Sequence, residues 1–281
     1  MKQYLLIDIG GTFIKYSLAD EQARKISGGK VPTPLTNMDD LLAVIEGFAA
    51  PLQGQFVGCA ISMPGRIDTR NGIAHTGGML SAFMWEQPFA AQVEARLGVP
   101  VTIANDGKCA AAAEGWTGAL AGVENGLVLV LGTGIGGGII LNGKMFNGGM
   151  NHGVELGHAY LVDGGEPCTC GNLGCMEAYC AASALTRDGR RAMQAHPESM
   201  LAEQTGGDPG KITPKLVTDC AKAGDAAAKA VFDTYIEHLS SACASVYNIL
   251  DPEVLAIGGG LSAAGPFLFD PLQEKVSEKC F

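Results

Sequence analysis

The chain has 281 residues, 47% hydrophobic and 17% charged, enough apolar content to bury a sizeable core in two domains or one large one. A net charge of -10 with no cluster of Lys and Arg argues against a nucleic-acid partner, and no uncharged apolar run reaches membrane-spanning length. The 40 glycines lie in clusters, which excludes a collagen repeat, and nine cysteines behind a leaderless start read as thiols and metal ligands of a cytoplasmic protein.

In chain order, residues 4–9 read as a buried strand, Gly10-Gly11-Thr12 as a turn and 13–18 as the returning strand. Residues 39–50 read as an amphipathic helix, 56–62 as a strand, 87–97 as a helix, 99–103 as a strand and 107–117 as an Ala-rich helix. The pattern then restarts: strand 127–131, turn Gly132-Thr133-Gly134, strand 135–141 and the hairpin signal Asn142-Gly143. Helices are expected at 176–192 and 226–250, a strand at 254–257, and a mobile loop at 199–211. Two halves with the same opening suggest a duplicated α/β unit, divided as residues 1–118 and 119–281, with a cleft between the copies.

Both glycine turns suit phosphate, because glycine lets backbone N–H groups approach an anion closely. Asp8 beside the first turn cannot bind phosphate itself; its role there is to hold Mg²⁺ next to the phosphates. Gly132, Gly134 and Gly137 also match G-x-G-x-x-G, but a strand follows where a dinucleotide site needs a helix. Gly258-Gly259-Gly260 ends a strand and can let an adenine or ribose lie against the backbone, or can be an ordinary turn. Asn105-Asp106 sits between a strand and a helix, so Asp106 is either the helix cap or a carboxylate that accepts the proton of an attacking alcohol.

Cys168-Thr169-Cys170-Gly171-Asn172-Leu173-Gly174-Cys175 puts three thiols in one short run, just after His158. Three thiolates and one imidazole make the closed tetrahedral set of a structural zinc site; the alternatives are a disulfide or unrelated buried thiols. Glu155 and Glu177 flank that motif and could turn toward one pocket if metal folds it. The remaining thiols, Cys59, Cys109, Cys180, Cys220 and Cys243, fall in apolar patterns and are expected to be buried, with Cys280 exposed.

Taken together, Ile7 to Thr12, Ser62 to Asp68, Asn105-Asp106, Leu131 to Gly138, Glu155 to His158, Cys168 to Cys175 with Glu177, and Asn248 to Gly260 resemble the ROK family of sugar kinases, in the family's order. The resemblance implies two ribonuclease-H-like α/β domains of the actin-like ATPase kind around an interdomain cleft. It implies transfer of the ATP γ-phosphate to a hexose hydroxyl, normally the 6-hydroxyl, with glucose first and N-acetylmannosamine or another hexose behind it. Asp106 becomes the base; Gly65, Gly78, Asn105, Glu155, His158 and Glu177 surround the sugar. ATP and Mg²⁺ fall to Asp8, Gly10, Gly11, Thr12, Lys15, Gly132, Thr133, Gly134, Gly259 and Gly260, and zinc to His158, Cys168, Cys170 and Cys175. A homodimer is implied too. Gly78 stands near the place where family glucokinases carry an Asn, and the chain stops at Phe281, soon after the Gly258 cluster, where relatives continue with a closing helix. ROK repressors resemble the scaffold but add an N-terminal helix-turn-helix, whereas here the first strand is expected within a few residues of Met1.

Overall fold

The computed structural model describes residues 1–151 and 153–281. The chain divides into two compact units, Met1–Cys109 with Asn147–Val154, and Ala110–Phe146 with Glu155–Phe281. This differs from a single cut after residue 118. The first unit reclaims Asn147–Val154, where the buried Lys108 ammonium reaches the Asn151 carbonyl at 3.5 Å.

In the first unit, β1 (Gln3–Ile9), β2 (Phe13–Asp20) and β3 (Lys25–Pro32) form an antiparallel meander. After α1 (Met38–Ala49), the strand β4 (Cys59–Met63) pairs parallel to β1. A short ribbon, β5 (Ile67–Asp68) with β6 (Ile73–Ala74), and α2 (Phe89–Leu97) lead to β7 (Val101–Asn105), parallel to β4. The sheet order is β3-β2-β1-β4-β7. Alternation puts Leu5, Ile7 and Ile9 of β1 into the core, where α1 adds Leu41 and Ile45 and α2 adds Phe89 and Val93. Each such side chain stabilises the fold by roughly 1.5–3 kcal/mol. The registers place Asp8 beside Ser62, and Met63 beside Asn105, so the carboxyl ends of three parallel strands share one rim. From that rim α3 (Asp106–Thr117) begins.

The second unit repeats the plan on a smaller scale. β8 (Gly126–Leu131) and β9 (Ile135–Leu141) form a hairpin through the second glycine turn, and Asn142-Gly143 then turns the chain into β10 (Lys144–Phe146) with positive φ at both residues. Beyond the Cys-rich loop come α4 (Glu177–Cys180), α5 (Ala182–Ala195), α6 (Met200–Thr205), α7 (Pro214–Lys222) and α8 (Ala226–Leu250). β11 (Val254–Gly258) pairs parallel to β8, and α9 (Pro266–Lys279) follows. Asp225 caps α8, which buries Phe232, Tyr235, Ile236, Leu239 and Val246 at helical spacing.

Two expectations about secondary structure are corrected. Residues 199–211 are not a loop: Ser199 caps α6, Leu201 anchors it in the core and Gly206 ends it in the left-handed conformation. The helix expected over 176–192 is broken at Ala181, because the Ala182 N–H donates to the Gly132 carbonyl at 2.9 Å instead of continuing the helical ladder. Cys59, Cys180, Cys220 and Cys243 are buried as expected, whereas Cys109 and Cys280 are half-buried.

Candidate active site

The first unit gathers its polar groups on the strand-end rim. Asp8 accepts a hydrogen bond from Ser62 Oγ at 3.1 Å through Oδ1 and meets Lys15 Nζ at 3.3 Å through Oδ2. Asn105, not Asp106, caps α3: its Oδ1 accepts from the N–H groups of Gly107 (2.9 Å) and Lys108 (3.3 Å). The Asn105 Nδ2 donates to the Gly65 carbonyl at 3.0 Å. Asp106 is thereby carried on the first residue of the helix, and its Oδ1 accepts from the Gly107 N–H at 2.9 Å. Solvent reaches Asp106, yet crowding protein atoms desolvate its carboxylate and raise its pKa above the ordinary range; the Gly107 N–H works against that, and the negative charge of Asp8 adds to it.

The loops beside this rim are tightly joined. Gly65 has φ +102°, and a β-carbon there would collide with the Thr76 carbonyl, so only glycine fits. Thr76 Oγ1 accepts from the Arg66 N–H at 2.9 Å. Gly10 N–H is used within its own turn, bonding the Phe13 carbonyl at 3.0 Å, while Thr33 Oγ1 donates to the Gly10 carbonyl at 2.6 Å.

In the second unit, Gly132 and Thr133 line a cavity of about 500 Å³ that also takes in Gly260, Leu261, Thr213 and Lys222. Just before Gly260, Gly259 has φ +89°, and a β-carbon there would overlap the carbonyl of Leu131, which lines the cavity. Gly134 does not line this cavity; it faces Glu177, whose Oε2 fills the space a β-carbon would take and accepts from the Ile135 N–H at 3.1 Å. The other oxygen of Glu177 accepts from Thr169 Oγ1 at 2.7 Å and from the Cys168 thiol at 3.6 Å. Glu177 therefore ties the second glycine turn to the Cys-rich loop.

That loop brings His158, Cys168, Cys170 and Cys175 together, with one donor atom of each within 4.8 Å of the others. Cys170 and Cys175 sulfurs stand 3.7 Å apart, and Cys168 Sγ is 3.6 Å from His158 Nδ1. Metal–sulfur bonds of about 2.3 Å and a metal–nitrogen bond of about 2.0 Å give tetrahedral edges of about 3.8 Å and about 3.5 Å, so the donor set fits a tetrahedral ion. Burial and then the two neighbouring sulfurs push the Cys175 thiol up to about 12, a penalty on the thiolate that a dication removes. Gly171 and Gly174, both at positive φ, reverse the chain between the ligands. Glu155 is exposed and its carbonyl accepts the His158 N–H at 3.0 Å.

The model of the ROK family matches residues 4–281. The chain belongs to the ROK family. A glucokinase of Thermotoga maritima is 34% identical over 280 residues, spanning 96% of this chain and 86% of its own. An N-acetyl-D-glucosamine kinase of Photobacterium profundum is 32% identical, over 92% of this chain and 84% of its own. Among solved structures, a ROK family glucokinase from Streptomyces griseus, in complex with glucose and AMPPNP, superposes with a TM-score of 0.83 at 30% identity, covering 99% of this chain and 89% of that one. The two-unit α/β architecture is thus the actin-like ATPase fold of ROK kinases.

Within this ROK chain, the first unit holds Asp8, Gly10, Gly11, Thr12, Lys15, Gly65, Gly78, Asn105 and Asp106, and the second holds Glu155, His158, Glu177 and the clustered Cys168, Cys170 and Cys175. Sequence reasoning missed Ser62, which steadies Asp8, and the α7 side of the cavity, Thr213 and Lys222. Thr213-Pro214 was the available signal, a capping residue followed by proline at the first helical position.

Proposed function

We propose that this ROK protein is an ATP-dependent hexose kinase with Asp106 as general base. The observation that carries the reading is the separation of duties at the start of α3, where Asn105 caps the helix and Asp106 presents a carboxylate of raised pKa beside Asp8. Asp106 accepts the hydroxyl proton as that oxygen attacks the γ-phosphorus, the bond to the β-phosphate oxygen breaks, and ADP leaves. Asp8, steadied by Ser62 and Lys15, is the residue that would hold Mg²⁺, which spreads the phosphate charge when bound. The nucleoside occupies the cavity between Thr133, Lys222 and Gly260. Asn105, Gly65, Gly78, Glu155 and His158 face the sugar in this reading, and Glu177 supports it through the second glycine turn. His158, Cys168, Cys170 and Cys175 are the residues that would hold a structural zinc, which would fix the loop carrying His158.

Glucose is the first acceptor in this reading, supported by the glucokinase relatives. N-acetylhexosamines come second, supported by the N-acetyl-D-glucosamine kinase relative and by the missing side chain at Gly78. The same reading makes the protein a cytoplasmic homodimer acting on small molecules, which sedimentation checks; no described helix is long and apolar enough to cross a membrane. ADP release from Mg-ATP over a panel of hexoses and amino sugars, with a no-sugar control, tests the reaction. Strong release with one sugar is the expected result. No release with any sugar, from folded and metal-loaded protein, would overturn it.

A further inference from the structure

We propose that Met79 is a positioning residue that couples the acceptor loop to the first phosphate loop, its thioether seated on Gly11 and holding water off that loop. The inference rests on the kinase reading above.

Gly11 has no positive φ, so backbone conformation does not reserve the position for glycine. What reserves it is space: a β-carbon on Gly11 would run into the Met79 sulfur. Met79 itself is 67% exposed, so core burial does not hold its side chain there. The backbone beneath it does. Met79 lies in a 3-10 turn, Gly78–Leu80, with Leu80 only 1% exposed and Ser81 Oγ donating to the Gly78 carbonyl at 2.7 Å. The turn is braced on the rim: at Gly78, φ +56°, a β-carbon would stand 3.1 Å from Pro64 Cβ, and the next residue, Gly65, is held by Asn105. One run of contacts thus leads from Gly11 through Met79, Gly78 and Pro64 to Asn105, which starts the helix carrying Asp106. A sugar that docks on Gly65, Gly78 and Asn105 presses on the segment that positions Met79. Without the sugar, the thioether stays over the loop and keeps water from competing for the γ-phosphate.

The test compares Met79→Ala with Met79→Leu, a volume-conserving change. The reading is ADP release without sugar divided by release with sugar. Met79→Ala raises that ratio about tenfold, while Met79→Leu stays near the parent. An unchanged ratio in Met79→Ala, or an equal rise in both variants, would overturn the inference. A second measurement does not need turnover. In protein labelled with ¹³C-methyl methionine, the Met79 signal is the one lost in Met79→Leu, and Mg-AMPPNP is expected to shift it. A signal that stays put when the nucleotide saturates the protein also overturns the inference. If the parent protein shows no sugar-dependent release, the kinase reading fails, and the methyl signal decides the Met79 contact by itself.

Discussion

The two glycine turns sit in the same place in two copies of one scaffold and are supported in opposite ways. Each closes a hairpin whose first strand also has a parallel neighbour, β4 beside β1 and β11 beside β8. The first turn is surrounded by charge: Asp8 with Lys15 and Ser62 stands next to it, and an exposed methionine lies on top. The second turn is held by one carboxylate, Glu177, whose other oxygen reaches the Cys-rich loop. Duplication supplies the turn; what differs is whether its support is a pair of ionic groups that can exchange partners or a fixed bond into a folded ligand cluster. The first suits binding a metal and a phosphate that come and go, and the second suits a rigid wall.

The contrast is broken most sharply at the first unit. Asp106→Asn should lower kcat by roughly a hundredfold to ten-thousandfold while sugar affinity changes far less. A near-normal kcat removes Asp106 from the mechanism. The pH profile sharpens the point: kcat/KM should fall on acidification through an inflection above the usual carboxylate range, and Asp8→Asn should move that inflection down, since the Asp8 charge is among its causes. The linkage has a definite sign. With the folded-state pKa above the unfolded one, ionising Asp106 opposes folding, a cost absent below the unfolded value and complete above the folded one. Asp106→Asn should therefore raise Tm near neutral pH while it removes activity.

Next in size is the second unit's ligand cluster. Cys175→Ser, or a strong chelator, should lower Tm and release one zinc per chain by metal analysis, because binding free energy of a structural ion is folding free energy. Freshly purified, reduced protein without zinc would refute the assignment. The smallest effect is expected at Glu177, which links that cluster to the second glycine turn within the second unit. Glu177→Ala leaves the Ile135 N–H and Thr169 Oγ1 without their acceptor and should cost about 1–3 kcal/mol. Denaturant titration measures that cost, and KM for ATP should rise if the bond holds the second turn in shape.

Most of this contrast was legible in the residues, because its signals are short-range. Gly10-Gly11-Thr12, Gly132-Thr133-Gly134 and Cys168 to Cys175 each announce their geometry within a few positions, and α8 shows its buried face by spacing alone. What escaped depends on contacts made far along the chain or on weak local patterns. β3 was missed because Lys25–Pro32 is an exposed edge with no alternation of apolar residues. The break at Ala181 comes from a bond to Gly132, which no local pattern contains. The sequence left open whether Asp106 caps the helix or presents a carboxylate; the bond geometry gives the cap to Asn105, which the pattern had not singled out for it, and leaves the Asp106 carboxylate toward solvent. Glu177 looked like a sugar ligand, and its place between two loops is set wholly by tertiary packing.

Gly259 and Gly260 are neighbours with opposite freedoms. At Gly259 both the backbone angle and the Leu131 carbonyl forbid a side chain, so the position has an alphabet of one letter. At Gly260 nothing lies within 4 Å of where a β-carbon would stand, on the lip of the same cavity. The residue behind Leu131 is therefore closed to mutation while its neighbour at the cavity wall is open to it. On the proposed reading of this cavity as the nucleoside site, selection for a different base has its cheapest first step at residue 260.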